Sequence, residues 1–169
     1  MRGRLYIARL LAAVYLLLIT SLTLVRRDLS IRGDEISKLL TGPYRAAAVA
    51  AFMLLAIASC LIALSLDHPH DLNIKYLLLA YAASVLIAGL TTPQQVVHNV
   101  VSVVAFATIP IAMYLNAKGH KVAYAWVGGV VLSLASWPLL GFGLGERLTV
   151  YLEVIWLISL RAQPKAWLS

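Results

Sequence analysis

Six apolar runs, joined by short links, leave this chain few ways to fold. They cover about 5–25, 43–66, 76–92, 95–115, 122–142 and 147–163. A helical crossing of a bilayer takes about 20 predominantly apolar residues. A chain of 169 residues therefore has room for six crossings and little else. Its 12% of charged residues is about half the roughly 25% usual in soluble domains, and no soluble catalytic domain fits beside the runs. The predicted fold is all-α, a polytopic membrane helical bundle with six transmembrane helices in one domain over 1–169.

The net charge of +7 would suggest nucleic acid as a partner for a soluble protein. Here Lys and Arg flank apolar runs, where anionic headgroups attract them, so membrane lipids are the expected partners and nucleic acid is not. With the N-terminus in the cytoplasm, Arg2, Arg4, Arg9, Lys75, Lys118, Lys121, Arg161 and Lys165 fall inside. Arg26, Arg27, Arg32, Lys38, Arg45 and Arg147 fall outside, as do Asp28, Asp34, Glu35 and Glu146. This bias places a multi-pass protein in the cell membrane with both termini cytoplasmic. The opening run ends in Val25-Arg26-Arg27 without a small-x-small cleavage pattern, so it reads as a span and not as a secretory signal. The single cysteine, Cys60, rules out an internal disulfide and reads as a packing residue.

Helices in lipid associate where small residues let backbones approach. Ala125, Gly129 and Ser133 form one such seam, Ala80, Ser84 and Ala88 another, and Ala47, Ala51, Ala56, Cys60 and Ala63 line a third span. Pro110 and Pro138 each remove a backbone donor, so a kink or opening is expected near both.

The stretch TTPQQVVHNV (91–100) breaks the apolar pattern. Gln95, His98, Asn99 and Ser102 share one helical face, and Glu146, Thr149 and Glu153 form a second polar stripe. At about 1.5 Å per residue, His98 lies about 6 Å and Glu153 about 9 Å below their helix starts, so the two can meet. Arg45 and Arg147 belong to the same outer layer. Ionisable groups within a membrane cost a few kcal/mol unless paired or facing water, which points to one shared site. Two readings stand side by side: a buried network that fixes helix register, or a pocket with Arg45 or Arg147 as an anion clamp. Proton transfer by His98 and Glu153 is a third. No nucleophile–base pair, P-loop or zincin motif is present. Only His98 of the four histidines lies within a span, so neither a haem, a metal nor another cofactor is expected. His68 and His70 in DHPHD read as a solvated loop, with His120 in another.

Three stretches, DEISKLLTGPYRAAAVAAFMLLAIASCLIAL (34–64), TTPQQVVHNVVSVVAFATIPIAMYL (91–115) and GERLTVYLEVIWLISLRA (145–162), resemble the six-span bacterial and archaeal family catalogued as domain of unknown function nine-nine-eight. The resemblance rests on Ile36, Ser37, Gly42, Pro43 and Tyr44, then His98 and Phe106, then Glu146, Arg147 and Trp156. It implies six helices and groups Ser37, Arg45, His98, Glu146 and Arg147 without supplying a reaction. One departure is that relatives carry an acidic residue before the histidine, where this chain has Thr92, Pro93 and Gln94. Carboxylate assistance at His98 would then fall to Glu153.

The expected function is a non-enzymatic binding or accessory membrane protein with a polar pocket for a lipid or small ligand at the outer face. It would work alone, as a homodimer or in a larger membrane complex. Alternatives are an intramembrane enzyme acting on lipid headgroups and a small dimeric transporter. The candidate pocket residues are Ser37, Arg45, Gln95, His98, Asn99, Ser102, Glu146, Arg147, Thr149 and Glu153.

Overall fold

The computed structural model describes residues 2–66, 71–117 and 121–160. His68, His70 and His120, and the basic residues Lys118, Arg161 and Lys165, lie outside them. Seven α-helices account for most of the described chain: α1 (Arg2–Val25), α2 (Arg45–Ala63), α3 (Leu72–Leu90), α4 (Val96–Asn116), α5 (Lys121–Ala135), α6 (Trp137–Leu140) and α7 (Phe142–Ser159). A 3-10 segment, Ile36–Leu40, interrupts the link between α1 and α2.

The first four long helices are apolar and long enough to cross a membrane. The expected fifth and sixth spans differ from this pattern. Helix α5 has 15 residues, about 22 Å at 1.5 Å per residue, because the helical run stops at Ser136. Proline disfavours helical geometry in the residue before it, and Pro138 accordingly sits in the first turn of a new, four-residue helix. Pro110, in contrast, lies inside an unbroken α4. Helix α7 has 18 residues but carries Glu146, Arg147 and Glu153, and it begins at Phe142, ahead of the expected start at 147.

Consecutive helices pack side by side: α1 on α2, α2 on α3, α3 on α4, α4 on α5, α5 on α7. Helix α7 then returns to α1, which closes a ring. At the end where α1 begins and α7 stops, Arg9 donates to the Leu160 carbonyl at 2.7 Å and so ties α1 to the end of α7. Small residues line the seams in part: Ala51, Ala56, Ala63, Ser84 and Ala88 are buried, Ala47, Cys60, Ala80 and Gly129 half-buried, and Ala125 is exposed. In the α5 seam the close group is Ser133, whose hydroxyl meets Thr149 of α7 at 2.6 Å.

Because the helices alternate in direction, the 26–44 link, the 91–95 link and helix α6 gather at the opposite end. The 3-10 segment acts there as a plug. Ile36, Leu39 and Leu40 are fully buried, which for three such side chains amounts to roughly 5–9 kcal/mol of transfer free energy relative to water. Arg26 fastens the base of the link, holding both Asp28 carboxylate oxygens at 2.8 Å and donating to the Thr41 carbonyl.

Candidate functional site

Why the link stays seated over the bundle is written in the run GFGLG (141–145). Gly141 has a φ of +91°, open to glycine alone among ordinary residues, and a Cβ there would collide with the Arg32 carbonyl. A Cβ on Gly143 would strike the backbone of Asp34 and Ile31. With no side chain in the way, the Gly143 N–H reaches the Arg32 carbonyl at 3.0 Å. Arg147, buried one turn further along α7, donates through Nη1 to the carbonyls of Ile31 (3.1 Å), Asp34 (2.6 Å) and Gly143 (2.8 Å). Finally, Glu146 Oε2 accepts the Ile36 N–H at 2.6 Å, so the plug is bonded to α7 directly.

Beneath and beside this plug lie two adjacent cavities. The outer one, about 190 Å3, runs between α4 and the α6–α7 corner; Asn99, Val103 and Phe142 stand at its exposed rim, and Trp137 and Glu35 on its walls. The inner one, about 50 Å3, lies on the axis of the ring. Tyr15 of α1, Phe52 of α2, Tyr81 of α3 and Phe106 of α4 supply its aromatic walls, and Glu153 of α7 its deepest carboxylate. Ser37, His98, Ser102, Phe106 and Glu146 border both, so the two spaces adjoin across a single layer of side chains.

His98 is held in a defined state. Its Nδ1 lies 3.1 Å from the Ala88 carbonyl and 3.2 Å from the Thr91 hydroxyl. A carbonyl can only accept, so Nδ1 carries the proton, and a neutral ring then offers Nε2 as an acceptor. Glu153 is only 1% exposed, and its Oε1 has no hydrogen-bond partner. Buried carboxylate oxygens are ordinarily satisfied, because an unmet one costs about 1–3 kcal/mol or more. Glu35 accepts from the Ser37 hydroxyl at 3.0 Å, which turns a third carboxylate toward the outer space.

The structure thus brings together Ser37, His98, Asn99, Ser102, Glu146 and Glu153 out of the residues singled out in the sequence. It does not bring the other four to the cavity walls. Gln95 is the N-cap of α4, exposed, and its side chain accepts the Thr92 N–H at 3.0 Å. Arg45 opens α2 as an exposed residue. Arg147 lines neither cavity and directs Nη1 to the backbone of the link, while its buried Nε and Nη2 have no partner among the described residues. Thr149 is fully buried against α5 and α6, where it meets Ser133, accepts from the Trp137 indole at 3.1 Å and donates to the Gly145 carbonyl at 3.0 Å.

Sequence reasoning missed Glu35, Tyr15, Tyr81 and Trp137, which come from separate elements and share no local pattern. The alternating glycines of GFGLG were the one available sign that a backbone crosses α7 closely. The aromatic lining is organised: Tyr15 and Phe52 stand edge to face at 6.2 Å, and Phe106, Trp137 and Phe142 form a chain at 5.4 and 5.7 Å. Chemically the walls combine three carboxylates, a histidine, hydroxyls and aromatic rings, with no Lys or Arg among the described lining residues. Such a surface accepts hydrogen bonds and attracts positive charge. Comparison with protein-family models, with curated proteins and with solved structures finds no match for this chain.

Proposed function

We propose that this is an integral membrane binding protein of the cell membrane, not an enzyme, whose pocket takes a small polar molecule or the head of an amphiphile at the end opposite the chain termini. In this reading α5 and α7 complete six crossings, the N-terminus is cytoplasmic and the pocket opens outward, in keeping with the charge bias of the links. The likeness to the six-span family of unknown function accords with the same arrangement.

The observation that carries the proposal is the pair of adjoining cavities: a roomy outer space at the membrane end and, across the shared wall of His98 and Glu146, a small inner space that ends at Glu153. A network serving only to fix helix register would be expected to satisfy its own polar groups. Here, among the described residues, Glu153 Oε1 lacks a partner at the wall of the inner space, whereas the unpartnered Nε and Nη2 of Arg147 belong to a residue that lines neither cavity. Asn99 and Val103, on the exposed rim, leave the outer space accessible from the side of α4, a route open to a ligand arriving from the lipid.

Native mass spectrometry of gently purified protein tests this, comparing the wild type with His98→Ala and Glu153→Gln. The expected result is a discrete small-molecule or lipid adduct on the wild type that both variants lose. A bare wild type, together with variants that unfold far more readily, would show the cluster to be structural.

A further inference from the structure

We infer that the pocket's ligand is a small organic ammonium ion, its charged nitrogen seated in the inner cavity against Glu153 and among the rings of Tyr15, Phe52, Tyr81 and Phe106. This deepens the binding role proposed above and rests on it.

Charge comes first. An anion entering the ring meets Glu35, Glu146 and Glu153 and no lining cation, because Arg147 is turned to the link backbone and Arg45 lies at the exposed start of α2. A neutral donor could give the almost completely buried Glu153 a hydrogen bond, but no counter-charge. A cation gives that carboxylate the charged donor it lacks.

The kind of cation follows from the walls. Metal ions need several converging oxygen or nitrogen ligands, and among the described residues no three of His, Cys, Asp or Glu come together in that way. An ammonium group needs less: one counter-charge and aromatic faces, whose π-electrons attract a cation held within about 6 Å. Tyr15 and Phe52, edge to face with an interplanar angle of 88°, place two differently oriented rings at the cavity wall.

Size sets the head group. A cavity of about 50 Å3 holds a cluster on the order of four water-sized groups, enough for a primary ammonium with two or three attached carbons. Any longer portion of the ligand would continue past Ser102 and Phe106 into the 190 Å3 outer space. There the chain of Phe106, Trp137 and Phe142 offers apolar contact.

The test measures binding to full-length protein in nanodiscs of zwitterionic lipid. Thermal unfolding is followed in methylammonium, ethanolamine and tetramethylammonium chlorides, each against sodium chloride of equal ionic strength, with sodium phosphate as the anionic counterpart. At least one primary ammonium should raise the unfolding midpoint saturably in the wild type. Glu153→Gln should weaken its apparent Kd at least tenfold, and Tyr81→Leu should weaken it severalfold. A saturable response to phosphate with none to any ammonium would overturn the cation assignment and leave the pocket standing. If neither class produces a response and the purified protein carries no adduct, both this inference and the binding role fall. An ammonium response unaltered in Glu153→Gln would overturn the assignment of the site.

Discussion

Substituting Gly143 by alanine should reverse the sign expected from helix propensity. Gly143 lies in the first turn of α7, where alanine would ordinarily favour the helix by up to about 1 kcal/mol. The added Cβ would overlap the Asp34 carbonyl and approach Asp34 N and Ile31 O to 2.8 Å, where ordinary contact begins at 3.4 Å. These are backbone atoms, so the link itself must retreat by about 0.6 Å or more. That movement lengthens the bonds from Arg147 to Ile31 and Asp34 and from Gly143 to Arg32, now 3.1, 2.6 and 3.0 Å. Overpacking of this kind costs about 1–3 kcal/mol and each weakened hydrogen bond about 1 kcal/mol. Net of the propensity gain, G143A should be destabilised by roughly 1–4 kcal/mol. Gly128, within α5, supplies the contrast, since nothing lies within 4 Å of its Cβ position and G128A should be neutral or mildly stabilising. Unfolding midpoints in nanodiscs, with hydrogen exchange at residues 30–36, measure both effects. A G143A protein as stable as the wild type, with unchanged exchange in the link, would refute the account of how the plug is seated.

Glu153→Gln should fold and unfold at the wild-type midpoint or above it, because it removes an ionisable group that no neighbour satisfies; a loss of several kcal/mol in the melt would mean that the carboxylate is paired. Thr149→Val should cost about 1–3 kcal/mol, since the Trp137 indole and the Ser133 hydroxyl both lose a buried partner, and tryptophan emission should change with it. The link should also loosen in acid. The hydrogen bonds from Arg26 hold the Asp28 carboxyl below its ordinary range, and Lys38 does the same for Asp34, so their contribution is complete above the unfolded value of 3.8 and fades as pH falls through the lower folded values. Protease cleavage within 26–41 should therefore accelerate only below about pH 4, and cleavage that is already fast at neutral pH would contradict the pairing.

The polar faces of α4 and α7 were legible as faces, but not as contacts. His98 and Ser102 sit four residues apart and do line the same space, whereas Gln95 precedes the helix in extended geometry and so leaves the face its spacing implied. On α7, Glu146 and Glu153 are two turns apart and point together, while Thr149, rotated by about 60° from that line, meets Ser133 instead. Arg45 was placed by depth alone, and depth says nothing about the direction a helix face takes around its axis. The rings of Tyr15, Phe52 and Tyr81 each look like ordinary apolar packing in their own helix. Only the closed order of the helices makes them neighbours. The short helix α6 was hidden for a different reason: the fifth apolar run reads continuously through Ser136, although Pro138 already marked where it bends.

Ring closure also has a consequence in time. The two innermost acidic groups ride on α7, which leaves the ribosome after every other wall of the chamber has been made. Without it, α1 to α4 would hold His98, Ser102 and Tyr81 with no acidic residue of α7 across from them. Seating α7 completes three things at once: the plug acquires its fastening through Glu146 and Arg147, the gap between α5 and α1 is filled, and Glu153 reaches the axis. The chamber is therefore incomplete without α7, which supplies both Glu146 and Glu153.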